Sequence, residues 1–88
     1  MGLTIEAGKL KDELRDALRE FFLLDPALPL DDEISLLEEG ILDSTGVLEL
    51  VCHVEERYQF EVLDEEIIPE NFDSIVRLSR YILRRVGD

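Results

Sequence analysis

One serine in this chain stands where its hydroxyl could be esterified. Asp43-Ser44 opens a run read as helix. An aspartate there can cap the helix, its carboxylate accepting from the first free amides. Ser44 then need not serve as the cap, and its hydroxyl can face solvent. A phosphate ester on that oxygen would sit beside unpaired backbone N–H groups and the positive end of the helix dipole. Taken alone, an Asp-Ser pair before a helix is ordinarily no more than a cap, and that reading stays open at this point.

The other reactive side chains do not complete a catalytic set. His53 is the only histidine and follows Ser44 by nine residues. On one helix that is about 13 Å along the axis and about half a turn round, which rules out a serine–histidine pair. A small hydrolase therefore lacks a base for its serine. Cys52, the single cysteine, cannot form an internal disulfide or a structural zinc site. Set among glutamates, it reads as a small apolar residue and not a nucleophile. The acidic clusters do not follow the Asp-x-Asp-x-Asp-Gly spacing of a calcium loop. Loose divalent binding near Glu65, Glu66 and Glu70 is the most they imply, and no dedicated metal site is expected.

The 88 residues, 45% of them hydrophobic, suffice for one domain over residues 1–88 with one modest core. The net charge of −13 is unevenly placed: residues 1–30 contribute −2, residues 31–70 contribute −13, and residues 71–88 contribute +2. Such a field repels nucleic acid and anionic lipid and favours basic protein surfaces. The longest strongly apolar stretch, Phe21 to Leu24, is too short to span a bilayer. Glu6 stands where a myristoylation motif wants Ser or Thr. A reduced, cytoplasmic, monomeric protein is expected.

Helical periodicity organises the chain around the serine. Leu10, Leu14, Ala17, Leu18 and Phe21 give a first helix over about Ile5 to Leu23. Pro26 and Pro29 begin a long loop, roughly Asp25 to Asp43, which Ile34, Leu36, Leu37, Ile41 and Leu42 can pin to the core. A second helix runs from Ser44 to Tyr58. At about 100° per residue, Leu50, Val51, Val54 and Tyr58 fall within about 60° of Val47 and form its core stripe. Leu48, Glu49, Cys52, Glu55 and Glu56 fall together on an outer face at about 80–200°. A short helix is expected near Asp64 to Ile68, with Asp64 as cap and Pro69 as stop. The last helix follows Asp73, an N-cap candidate, and runs to about Val86, with Ile75, Leu78 and Ile82 inward and Arg77, Arg80, Arg84 and Arg85 outward or near its end. The expected fold is all-α: three main helices, one short helix and a long first loop.

The run Leu37-Glu38-Glu39-Gly40-Ile41-Leu42-Asp43-Ser44, then Val47 to Val51, then Glu55-Glu56-Arg57-Tyr58-Gln59-Phe60, resembles the acyl carrier protein family, as does Ile67 to Ile75. The resemblance covers about residues 5–86 in order. It implies that Ser44, the serine of the Asp43-Ser44 motif, receives a 4′-phosphopantetheine arm from coenzyme A through a phosphopantetheinyl transferase using magnesium. The arm would then carry an acyl or aminoacyl group as a thioester, loaded by a ligase and presented to downstream enzymes. Leu48, Glu49, Cys52, Glu55 and Glu56 would form the face that meets basic partners, speeding encounter and setting orientation. Thr45 and Gly46 depart from the family, which most often has Leu and then frequently an acid; they imply dedicated partners rather than the housekeeping fatty-acid carrier. The alternative is an unmodified interaction module of the same fold, with Ser44 only a cap. No residue chooses among fatty acyl, polyketide and amino acid cargo.

Overall fold

Apolar residues at helical spacing fold residues 6–87, those described by the computed structural model, into an all-α bundle. Helix α1 spans Ala7–Phe21, α2 Ser44–Tyr58, α3 Pro69–Phe72 and α4 Ile75–Val86, with a 3-10 turn at Asp64–Glu66. Helices α1 and α4 make the most extensive packing. Leu10, Leu14 and Leu18 meet Ile75, Leu78, Tyr81 and Ile82, all fully buried. Each such side chain contributes about 1.5–3 kcal/mol through removal from water. From α2, Leu50, Val51, Val54 and Tyr58 join this core, with Val47 packed against it.

The end of α1 differs from the sequence expectation. The expected start at Ile5 lies outside the described residues, but the helix stops at Phe21 rather than Leu23. Leu23 takes a left-handed backbone (φ 49°), and the next amide, Leu24 N–H, returns to the Arg19 carbonyl at 3.0 Å. This turn swings Phe21 outward, where it is 46% exposed, and Phe22 packs against the core in its place. No glycine marks the turn, so the helical pattern reads on through it.

The long loop is held at both edges. Arg15 Nε donates to the Leu30 carbonyl at 2.9 Å and Arg19 to the Leu28 carbonyl at 3.0 Å, so two residues of the wet side of α1 bind loop backbone. Asp32 pairs with Lys11 at 3.0 Å and with Arg15. The Lys11 hydrogen bond, with the charges of Lys11 and Arg15, outweighs partial burial and holds the Asp32 carboxyl below its ordinary 3.8. A depressed carboxyl stabilises the fold above its unfolded pKa and loses that contribution as pH falls through its folded value. The stability difference between wild type and Asp32→Asn is therefore expected to be full at neutral pH and to shrink as pH falls below about 4, through the lowered folded value. Paired thermal melts across that range check it; a constant difference would show that the charge is not what matters.

At the other edge the loop fastens to the start of α4. Leu36 N–H donates to the Asp73 carbonyl at 2.8 Å, while the Asp73 carboxylate accepts from Ser35 Oγ at 2.8 Å and Leu37 N–H at 2.9 Å. Asp73 is thus a clamp and not the expected N-cap; Ser74 caps α4, its hydroxyl accepting from Arg77 N–H at 3.1 Å. Leu36 and Leu42 are buried by this arrangement. Gly40 turns the loop between them with φ 73°, a conformation that favours glycine.

The short turn of helix forms within the expected stretch, at Asp64–Glu66, but its ends differ. Asp64 opens the 3-10 turn without capping it, and Pro69 begins α3 instead of ending a helix. Proline suits the first helical position because no intrahelical partner awaits its missing N–H. Glu66, expected among loosely cation-binding acids, is tied to α4 instead: it accepts from Tyr81 OH at 2.8 Å and pairs with Arg85. Burial disfavours its charge, but the Tyr81 hydroxyl, the Leu63 amide and Arg85 hold its pKa below the usual range. Burial, helped by the same contact, pushes the Tyr81 phenol up to about 12.

Candidate functional site

Asp43 ends the long loop in extended conformation and caps α2, its Oδ1 accepting from Gly46 N–H at 2.7 Å. Ser44, the first residue of α2, is exposed and its hydroxyl makes no hydrogen bond with the described residues. The cap is satisfied by Asp43, and Ser44 stands beside the remaining amides of the first turn, at the positive end of the helix.

Ser44 borders an apolar groove of about 380 Å³. One wall is Val47 and Leu48 of α2, another is Ile67, Ile68 and Pro69, and Leu37 closes it from the loop with Phe72 at its base. Leu37, Leu48 and Ile68 are 40–57% exposed, so the rim is open to solvent. These residues lie far apart in sequence, and periodicity within any one helix does not reveal that they meet. The only local signal is Ile67-Ile68-Pro69, an apolar run amid acids.

Leu48, Glu49, Cys52 and Glu56 are exposed together on α2, but Glu55 leaves that face. It is half-buried, and its carboxylate accepts from Val62 N–H at 2.9 Å. At about 80° from Val47 it sits on the border of the core stripe, within reach of a backbone amide that has no helical partner. Thr45, exposed beside Ser44, adds to the face.

Gly46 is buried because the Phe22 ring lies over the first turn of α2. A Cβ there would meet Phe22 ring carbons at 3.1 and 3.3 Å and Asp43 Oδ1 at 3.2 Å. The helix-propensity gain of Gly46→Ala, about 1 kcal/mol, is therefore expected to be cancelled by crowding of the cap and the ring. Gly46→Leu should cost about 2 kcal/mol by overpacking. Urea midpoints of the two variants test this; a clear stabilisation by alanine would show that the ring gives way freely.

His53 is on the flank of α2 away from the groove, its ring edge-on to Phe21 at a centroid distance of 4.9 Å. Burial pushes its pKa below the ordinary histidine range. Cys52 is a free, exposed thiol. Among the described residues no group of three His, Cys, Asp or Glu could hold a metal ion, and no helix is long and apolar enough to cross a membrane. The arrangement places an exposed serine at the start of α2 beside an apolar groove.

The chain is 33% identical over 71 residues to a D-alanyl carrier protein of Abiotrophia defectiva, covering 81% of this chain and 90% of that one. It also resembles a chain in a crystal structure of an FAD-dependent dehydrogenase, with a TM-score of 0.70 and 32% identity over 78% of this chain and 97% of that one. No protein-family profile matches the chain.

Proposed function

The chain belongs to the acyl-carrier-like family of carrier proteins, and on that footing we propose that Ser44 is the attachment point of a 4′-phosphopantetheine arm. As a member of that family it is a carrier and not an enzyme. The observation that supports the reading is the exposed Ser44 hydroxyl, relieved of capping by Asp43 and bordering an apolar groove. Ser44 Oγ would bear the phosphate, with the first turn of α2 favouring its charge. Leu48 and Ile68 would lie along the apolar part of the arm or its cargo. When attached, the arm supplies a terminal thiol that holds an acyl group as a thioester.

An aminoacyl cargo is the reading we favour, because the similar carrier from Abiotrophia defectiva is a D-alanyl carrier. A ligase that activates an amino acid would load it, and the exposed face of Thr45, Leu48, Glu49, Cys52 and Glu56 would meet Lys or Arg on that ligase. The likeness to a chain from an FAD-dependent dehydrogenase structure favours a flavoprotein dehydrogenase among the enzymes the carrier works with. Tethering raises the local concentration of cargo at such an enzyme without any catalytic group on the carrier.

Incubation with coenzyme A, magnesium and a broad-specificity phosphopantetheinyl transferase, followed by intact mass, tests the attachment. A single phosphopantetheine-sized gain is expected. No gain with several transferases would leave an unmodified interaction module of the same fold.

A further inference from the structure

Leu23 is the most exposed large apolar residue described, at 89%, and it holds a left-handed backbone that leucine adopts at a cost. The position closes the end of α1, where glycine is the residue that fits without strain. The core gains nothing from this side chain, since it buries almost none of its surface. Strain together with full exposure marks a residue kept for something other than the fold. Two residues earlier Phe21 is also turned out, half exposed, with its ring against the His53 and Phe22 rings.

The location of this corner is fixed by its neighbours. Phe22, between the two, lies on Gly46, two residues from Ser44, and Phe21 meets His53. At about 100° per residue, Gly46 and His53 lie on one flank of α2, Ser44, Val47 and Leu48 on the flank that faces the groove, and Thr45, Glu49 and Glu56 between them. An enzyme seated over the exposed carboxylates of α2 would therefore have the groove on one side and the Phe21–Leu23 corner on the other.

We infer that Phe21 and Leu23 form a second contact for the transferase that works at Ser44, received by an apolar socket rimmed with Lys or Arg. This rests on the reading of Ser44 given above. Charge complementarity selects that occupant. Glu20 and Asp25 flank the corner in sequence, both exposed, and exposed Glu49 is one helical turn before His53, which Phe21 touches, while nearby Arg19 is turned onto the Asp25 and Leu28 carbonyls. A second copy of a chain carrying −13 would be repelled, as would an anionic lipid surface, whereas a basic protein is drawn in and given an apolar anchor.

Leu23→Gly separates this contact from folding, because glycine keeps the turn and removes the side chain. Its thermal midpoint is expected to hold or rise, while kcat/KM for arm transfer by the transferase falls about tenfold, the scale of one buried apolar anchor. Leu23→Lys should lose at least as much by offering charge to a basic rim, and Leu23→Met should recover most of the rate. Equal transfer to wild type and Leu23→Gly would overturn the inference while leaving Ser44 as the attachment point. A lowered midpoint in Leu23→Gly would overturn it by showing that leucine serves the fold. An arm on neither protein would remove the reading beneath it and the inference together.

Discussion

Ser44→Ala is expected to abolish arm transfer completely while moving the thermal midpoint by no more than a few degrees. The two halves of this expectation have separate causes. A phosphodiester needs a side-chain oxygen, and alanine has none; neighbouring Thr45, one position further round the helix, would present its hydroxyl about 100° away from the groove side. Transfer is therefore lost outright and not slowed. The fold is indifferent because Ser44 is exposed and its hydroxyl holds nothing among the described residues. The cap that starts α2 is Asp43, and surface substitutions away from such features stay within about 0.5 kcal/mol. In a domain of this size that corresponds to a shift of about 2–4 °C. Intact mass after incubation with coenzyme A and transferase reads the first half, and a melt of the same sample reads the second. Transfer onto Ser44→Ala would move the attachment elsewhere. A collapse in stability would mean that the hydroxyl is structural and would return Ser44 to the role of a cap.

Much of the fold was legible because single-helix periodicity decides it. Leu10, Leu14 and Leu18, the stripe from Val47 to Tyr58, and Ile75, Leu78 and Ile82 repeat at the period of one turn, and each stripe faces the core. The start of α2 was equally plain, since an aspartate before an apolar-periodic run has one straightforward use. What sequence could not give are the places where one element answers another. Asp73 looks like a helix cap from its local context, but the unpaired amides of residues 36 and 37 reach it across the fold. Glu55 looks like a surface acid until Val62 N–H is placed against it. Tyr81 falls between the expected core positions and is buried because Phe60 and Phe72 close over its ring, at centroid distances of 5.8 and 5.4 Å. The groove joins three stretches of chain whose apolar residues each look incidental alone. Gly46 shows the same thing in reverse: a residue that weakens its own helix is explained by Phe22, a side chain from a different element.

Asp73→Ala is expected to be strongly destabilising for a substitution of a charged residue. Two hydrogen bonds to its carboxylate are lost, from partly buried Ser35 Oγ and from Leu37 N–H. Bonds to a charged acceptor contribute about 1.5–3 kcal/mol each, and the exposed Leu37 amide can recover one partner from water, so a loss of about 2–4 kcal/mol follows. Against a total stability of about 5–15 kcal/mol for a small domain, that is a large share, and the thermal midpoint should fall by about 10–20 °C. Asp73→Asn keeps a carbonyl acceptor for one of the two donors and should recover about half. The effect on the site should be graded and not total. Leu36 N–H still has the Asp73 carbonyl, and Asp43 still caps α2, so Ser44 stays in place and arm transfer persists below the new midpoint. Leu37, however, is a wall of the groove and loses its tether. A solvatochromic acyl probe on the arm should report a more polar surrounding in Asp73→Ala than in wild type. If stability falls and the probe does not respond, the clamp serves the fold alone and the groove wall is set by α2 and the Ile67–Pro69 segment. If neither changes, the loop is held by Leu36 and Leu42 in the core, and the hydrogen bonds to Asp73 add nothing measurable.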